Sequence, residues 1–460
     1  MKKRPNLLNF VYLAGSGLAI QLAGTFYRIW LARRIGPEGL GILQMVYPVY
    51  RLLSGMSAMG LPLALTKWVS EYVSAGDYRR IQSLRETSVR AVGLAALVFM
   101  VLLFLTAPLL TRHVFTDYRV MEALFIIAPA IPFSALSAIY RGYFQGFSKM
   151  APTAASEVFE QVVEIGTTAL LVGALASLAP ASINSYPVLG LTMGEVACLG
   201  TLLVIYKLRA PRPGNTLDAA ELEAVDLPRS SIMRFAGPLL LNQIVTSVSM
   251  AAEAVIIPHF LIQSGYSVFE STGLFGKLTG MAEPISYFPL IFLAPLASVL
   301  SPQISAFWKN RDYQRIGRKL IRYYTVGILL CLAGLVLIMA GAGFLSQWLY
   351  NDPSPVRLIR LSVIALPFTG IAALNLTVLT ALGATDRILL LSLWAVGLKT
   401  ALLMVLTAML GIEGAAWAIT IAQIFLMLAS LAELRQVLPA SVRQIFPRSP
   451  RPFRFLRQPL

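Results

Sequence analysis

The sequence predicts an all-α polytopic membrane protein: about twelve transmembrane helices in two parallel six-helix lobes around a central cavity. Three observations carry this expectation. The 460-residue chain is 57% hydrophobic and 13% charged, with a mean hydropathy of +0.71, far from the roughly 45–50% apolar and about 25% charged usage of soluble proteins. Two patterns recur at one offset of 235 residues: Asp77-Tyr78-Arg79-Arg80-Ile81 returns as Asp312-Tyr313-Gln314-Arg315-Ile316, and Ala130-Ile131-Pro132-Phe133 as Ala365-Leu366-Pro367-Phe368. Charged residues also stand inside apolar runs, Arg28 and Arg51 foremost. Charge at bilayer depth costs about 2.5–3.5 kcal/mol per Arg on insertion scales, so such side chains face a bundle interior or a wet cavity.

A span needs about 20 mostly apolar residues. In chain order that rule gives 6–32, which contains Arg28; 40–68, which contains Arg51; 88–111; 120–145, which contains Arg141; 152–178, which carries Glu157, Glu160 and Glu164; and 187–207, which carries Glu195. The second half repeats the pattern at 231–260, 277–306, 321–349, 355–382, 387–410 with Lys399, and 412–434. Pro129, Pro132, Pro284, Pro289, Pro295, Pro302 and Pro367 interrupt the fourth, eighth and tenth spans, as tolerated where neighbours or water satisfy the freed backbone groups. An even number of spans per half gives the two repeats one orientation, related by an axis along the membrane normal. The expected organisation is an N-lobe at 1–208, a Pro- and Gly-containing linker at 209–230, a C-lobe at 231–434 and a basic tail at 435–460. The N-terminal MKKRPNLLNF leads into an apolar run without a small-residue cleavage pattern, so it reads as the first span rather than a signal peptide.

The net charge of +16 has a membrane explanation. Lys and Arg gather at Lys2–Arg4, Arg79–Arg90, Lys207–Arg234, Lys309–Arg322 and along the tail, all on one side, whereas the other side holds only Arg33, Arg34, Arg112, Arg119, Lys277, Arg357 and Arg360. This bias predicts cytoplasmic termini in the cell membrane, with the lipid bilayer and its anionic inner leaflet as partner and no role for nucleic acid. The two cysteines, Cys198 and Cys331, lie far apart in apolar runs, so neither a disulfide nor a metal site is expected. No Walker sequence, Asp-X-Asp pattern or nucleophile elbow is present, which argues against an enzyme.

Depth singles out the candidate site residues. At 1.5 Å per residue Arg51 lies about 16 Å into its span and Lys399 about 18 Å into its own, both near the midplane. Arg28 and Arg141 lie near span ends, where a long side chain can snorkel, and that is the expected behaviour of Arg141. Glu157, Glu160 and Glu164 fall within about 60° of one another on a helix, forming one acidic stripe. The stripe suits an ion-pair partner for Arg51 or Lys399, or a cation or proton site, with Glu157 at a solvated rim. Glu195 is near midplane on the next span and joins this set.

These motifs resemble a known family. Tyr27-Arg28-Ile29-Trp30-Leu31-Ala32-Arg33, Ile35-Gly36-Pro37-Glu38-Gly39-Leu40-Gly41, Gln44-Met45 with Tyr47-Pro48, Gly60-Leu61-Pro62, Ser70-Glu71-Tyr72, Gly76-Asp77-Tyr78 and Arg141-Gly142-Tyr143-Phe144-Gln145-Gly146 with Pro152-Thr153-Ala154 are similar to the stage V sporulation protein B and polysaccharide-biosynthesis flippases. That family sits in the superfamily of the MurJ lipid II flippase, the oligosaccharide flippases and the multidrug/Na+ antiporters. The resemblance spans the chain and is sharpest over residues 26–165. It implies a MATE/MurJ-like bundle moving lipid-linked sugars by alternating access, with Arg28 and Arg51 fitting the cationic positions that hold a diphosphate. Relatives with fourteen spans use the last two around the lipid tail, and this chain offers about twelve.

The expected function is therefore a flippase carrying a lipid-linked oligosaccharide or peptidoglycan precursor from the cytoplasmic to the outer leaflet. Arg28, Arg51, Lys399 and Arg141 are its candidate substrate-binding residues, and Glu157, Glu160, Glu164 and Glu195 its candidates for ion or proton coupling. No organic cofactor or metal is expected; H+, Na+ or the membrane potential would supply the drive. A monomer is expected, with cell-envelope synthesis enzymes as candidate partners. Two other readings stand beside it: a cation-coupled multidrug antiporter, and a non-transporting membrane scaffold for cell-envelope or spore-coat assembly.

Overall fold

The computed structural model describes residues 7–175, 184–209, 229–439 and 442. Most of the expected linker (210–228), most of the expected tail (440, 441 and 443–460) and the Lys2–Arg4 cluster lie outside the described residues. Among the described residues all regular structure is helical. The cores of all twelve expected spans fall on helix, and the differences lie at breaks and starts.

Glycine and proline set the breaks. Helix α1 (Leu7–Ala58) is two helices joined at Gly36, whose φ of 70° and ψ of −178° leave helical geometry. That φ lies in the left-handed region glycine adopts freely, and Pro37 restarts the helix, its fixed φ suiting a first helical position. A second left-handed step at Met59 and Gly60 separates α1 from α2 (Leu61–Ala75), so the expected second span is bent across two helices. Helices α4 (Val120–Ile127) and α5 (Ala130–Gly146) part at Pro129. Their repeat counterparts α13 (Val356–Val363) and α14 (Leu366–Ala381) part just before Pro367, with a bend of 42°.

The eighth expected span is the most broken. It runs through α9 (Val268–Gly276), a π-helix over Lys277–Ala282, α10 (Glu283–Ser286), a 3-10 turn over Phe288–Phe292 containing Pro289, and α11 (Leu293–Lys309). The helical run begins at Val268, ahead of the expected span, where a capping box between Ser267 and Glu270 satisfies the first turn. Lys277, expected in an outer loop, therefore lies well inside this helical run.

The 235-residue repeat has a structural cause. Asp77 accepts a hydrogen bond from the Arg80 backbone N–H at 3.1 Å and starts α3 (Tyr78–His113); Asp312 accepts one from Arg315 at 3.2 Å and starts α12 (Tyr313–Tyr350). In both copies the arginine side chain also reaches back to its cap, at 3.2 and 3.0 Å. Beyond these polar starts α3 exposes Leu94, Leu97, Val98, Val101, Leu105 and Leu109, and α12 exposes Leu329, Val336, Leu337 and Phe344. Accessible apolar stripes on long helices belong against lipid. Eight described helices are long and apolar enough to cross a membrane, nine if the bent α13–α14 pair is one span.

The chain divides into two compact units, Met1–Val255 and Ile256–Leu460, the division falling inside α8 (Arg229–Gln263). The first unit is built around a close hairpin of α6 (Ala151–Leu175) and α7 (Tyr186–Arg209). Gly190 and Gly194 make this approach: a Cβ on Gly190 would lie 2.8 Å from the Glu164 carbonyl oxygen, and one on Gly194 would lie 3.0 Å from that of Glu160. This is the small-residue spacing that lets membrane helices touch backbone to backbone. The second unit closes on α14, α15 (Thr385–Leu410) and α16 (Ile412–Val437). There the buried Asn375 accepts from the Tyr324 hydroxyl and donates to Ser430 Oγ at 2.9 Å, joining α12, α14 and α16.

Candidate functional site

The close α6–α7 hairpin brings the first unit's carboxylates together. Glu160 on α6 and Glu195 and Cys198 on α7 place one donor atom each within 4.8 Å of one another. Glu195 is only 6% exposed. Tyr50 of α1 donates its hydroxyl to Glu195 Oε1, whereas Oε2 has no hydrogen-bond partner among the described residues. Glu160 Oε2 is likewise buried without a hydrogen bond, with Arg141 Nη1 3.7 Å away.

Arg141 supplies the positive charge of this cluster. From α5 its guanidinium reaches Glu157 Oε1 at 3.8 Å and Glu160 Oε2 at 3.7 Å. The expectation that Arg141 snorkels away is corrected: α5 ends beside the start of α6, so the side chain meets the acidic stripe before it reaches a rim. Arg141 is thus an ion-pair partner of Glu157 and Glu160. With a guanidinium already set between these carboxylates, the cluster is one of internal charge compensation.

One turn further along α6, Glu164 is hydrogen-bonded by Gln161 Nε2 at 3.4 Å and lies within electrostatic reach of Arg28. Beside it Tyr27 donates to Thr168 Oγ1 at 2.9 Å, pinning α1 to α6. The stripe read from the sequence is therefore real, and it is answered by arginines from two helices.

The arginines of α1 present a second, accessible surface. Arg28 is exposed and shares a helix face with Gln21 and Thr25; Arg51 is exposed and shares one with Gln44, Tyr47 and Ser54. Arg51 donates to the Tyr47 hydroxyl at 3.3 Å, with its guanidinium carbon 5.7 Å from that ring's centre, and it lies within electrostatic reach of Glu195. The accessible faces of α3 and α12 are apolar, whereas these are polar, so they do not belong to the lipid belt.

In the second unit Lys399 sits partly exposed on α15. Lys277, expected in a loop, opens the π-helix with buried residues on both sides along the chain. The apolar run beginning only at 277 hid its place on a helix; the Ser267-X-X-Glu270 capping signature was the signal that could have found it. For Cys198 the corresponding signal was its three-residue spacing from Glu195 on a helix led by Gly190-X-X-X-Gly194.

Over 445 residues the chain is 26% identical to stage V sporulation protein B of Bacillus subtilis, covering 96% of this chain and 86% of that one. It is 28% identical to the lipid II flippase MurJ of the same organism over 170 residues, covering 34% of this chain and 30% of that protein. Among solved structures, an inward-facing multidrug resistance MATE family transporter of the MOP superfamily superimposes with a TM-score of 0.75 at 14% identity, covering 94% of this chain and 99% of that one. A MOP superfamily transporter from Pyrococcus furiosus, described by the reverse polarity of its binding pocket, gives 0.65 at 14% identity, covering 94% and 95%. These structures establish the fold as that of a MATE transporter. The family model described as polysaccharide biosynthesis protein matches residues 7–308, and the chain belongs to that family.

Proposed function

We propose that this protein is a flippase that carries an anionic, lipid-linked oligosaccharide or peptidoglycan precursor from the cytoplasmic to the outer leaflet of the cell membrane, with both termini cytoplasmic. The observation that carries the reading is the pair of accessible polar faces on the two halves of α1, Arg28 with Gln21 and Thr25 before Gly36 and Arg51 with Gln44 and Tyr47 after it. A diphosphate headgroup must cross about 30 Å of hydrocarbon. Fixed guanidinium groups replace its hydration, and Arg suits phosphate through its forked donors. Lys399 is proposed as a further substrate-binding cation in the second unit, and Arg141 becomes one in the first when its carboxylate partners are neutralised. Outward movement of each negative charge is favoured by about 2.3 kcal/mol per 100 mV when the cytoplasm is negative, so the potential drives export, and the carboxylates are the proposed sites of a coupling H+ or Na+. The names of the relatives support this assignment. Envelope-synthesis enzymes that make the cargo are its proposed partners, and the monomer its working form.

The experiment is reconstitution with candidate lipid-linked diphosphates. Arg51→Ala is expected to insert normally and lose transport; wild-type transport by that variant removes the anion-site reading. A second reading, a cation-coupled multidrug antiporter, draws on the MATE fold and the buried carboxylates. Efflux of cationic dyes that depends on Glu164, with no movement of lipid, selects it.

A further inference from the structure

Charge matching within the first unit carries one step more. Four carboxyl groups, Glu157, Glu160, Glu164 and Glu195, are answered by three guanidinium groups: Arg141 against Glu157 and Glu160, Arg28 near Glu164, and Arg51 near Glu195. With every group ionised the carboxylates outnumber the guanidinium groups by one, and the shortage of donors shows at Glu160 and Glu195, which place donor atoms within 4.8 Å of one another. Each of these side chains holds a buried oxygen without a hydrogen-bond partner, and Glu195 is 6% exposed. A proton held between them supplies the missing donor. The other titratable groups facing the pair are Tyr50 from α1 and Cys198 from α7, both hydroxyl- or thiol-bearing donors without positive charge, with Tyr27 flanking Glu164.

The same guanidinium groups are the ones available to an anion. We infer that proton binding at Glu160 and Glu195 and anion binding at the arginines around them are positively coupled: every carboxylate that takes up a proton frees a guanidinium for a phosphate-type headgroup, and an anion that takes the guanidinium raises the demand for a proton. The inference rests on the anion reading above and adds to it the sign of the linkage. Cation and substrate load together, where a shared binding site would make them compete. Reciprocity requires that the two affinities change by one and the same factor. Arg141 is the hinge of this exchange, since it contacts two carboxylates and has the most to release.

The test uses purified full-length protein in nanodiscs with farnesyl diphosphate as the probe. Wild-type affinity is expected to rise by about tenfold or more from pH 8 to pH 6. Glu160→Gln and Glu195→Gln are expected to bind at pH 8 as tightly as wild type at pH 6, and to lose that rise; because the probe is the same throughout, the difference in slopes belongs to the protein. A second measurement needs no variant. In weak buffer near pH 8, where the probe is already deprotonated, the wild type is expected to take up about one proton per anion bound. Binding without proton uptake, or Gln variants that bind more weakly with the wild-type slope, overturns the coupling and leaves the anion site standing. No binding of the probe by wild type at either pH overturns both.

Discussion

Tyr50 donates its phenolic hydrogen to Oε1 of Glu195, 145 residues away, and so ties α1 to α7 in the buried part of the first unit. The next residue, Arg51, turns to the accessible face. Adjacent positions on one helix thus serve the carboxylate cluster and the proposed anion surface, and a movement of α1 at this level is felt by both.

Tyr50→Phe keeps the ring and removes only the donor. Glu195 then retains the hydroxyl of Ser134 as a neighbour but loses its bond from α1. A buried acceptor deprived of its partner costs about 1–3 kcal/mol, and thermal unfolding in detergent reads the loss. An unchanged midpoint means that the phenol contributes nothing there.

The α6–α7 approach makes a sharper prediction. A Cβ on Gly190 meets the Thr168 hydroxyl and the Glu164 backbone carbonyl, whereas one on Gly166, also on this hairpin, meets nothing within 4 Å. Gly190→Ala is therefore expected to destabilise by about 1–3 kcal/mol and to part Glu160 from Glu195. Gly166→Ala is expected to leave unfolding unchanged. Equal effects of the two substitutions contradict the packing described.

At the far end of the first unit, Arg119 forks onto Asp117 and reaches Glu38 at 2.7 Å. The carboxylates differ in burial: the Asp117 side chain is 0% exposed and that of Glu38 45%. Breaking a buried pair from one side costs about 3–5 kcal/mol, an exposed one under about 1 kcal/mol. Asp117→Asn is expected to lower the unfolding midpoint strongly and Glu38→Gln barely; the reverse order is incompatible with this geometry.

Hydropathy alone made the spans legible, because a helix facing lipid has to be apolar over most of a bilayer's thickness. The repeat was legible because Asp77 and Asp312 cap equivalent helices, and a cap is a local code. The breaks at Gly36 and Pro129 could also be read, since each residue acts on its own backbone. What stayed hidden was pairing. The sequence showed that Glu157 and Glu160 share a face, but Arg141 became their partner only through the packing of α5 beside α6, a tertiary fact no spacing encodes. The helical setting of Lys277 was hidden for another reason: Glu270, Ser271 and Thr272 dilute the hydropathy of a turn that is nonetheless helical.

The capping box at Ser267 provides a pH test outside the membrane. The Ser267 backbone N–H and hydroxyl both donate to Glu270, holding its carboxyl below the usual carboxylate value. A folded value below the unfolded one means that the cap's contribution is full above the unfolded pKa and fades as pH falls through the folded one. Amide exchange at Ser267 and Glu270, corrected for intrinsic rate, is expected to be constant near neutrality and to lose protection only under acid conditions. Protection that falls as pH rises contradicts the assignment.

That cap leads directly to Lys277, and the last prediction concerns it. A π-turn leaves the helix's regular bonding pattern and is found often at functional sites; here Tyr350 donates to the Met281 carbonyl at 2.9 Å and steadies the turn. Residues Leu278–Ala282 that follow are buried, whereas Lys277 keeps partial exposure and forms no salt bridge among the described residues. A partly exposed cation among buried residues serves an anion or simply reaches for water, and two substitutions separate these roles. Lys277→Met preserves the stem and removes the charge, so an anion-binding lysine predicts an unchanged unfolding midpoint with transport of the lipid-linked diphosphate reduced about tenfold or more, the worth of one charge-assisted hydrogen bond. Tyr350→Phe predicts the opposite division, a loss of about 1 kcal/mol in stability with transport largely kept. If Lys277→Met transports like wild type, the lysine is a snorkelling residue and the anion path does not include this turn.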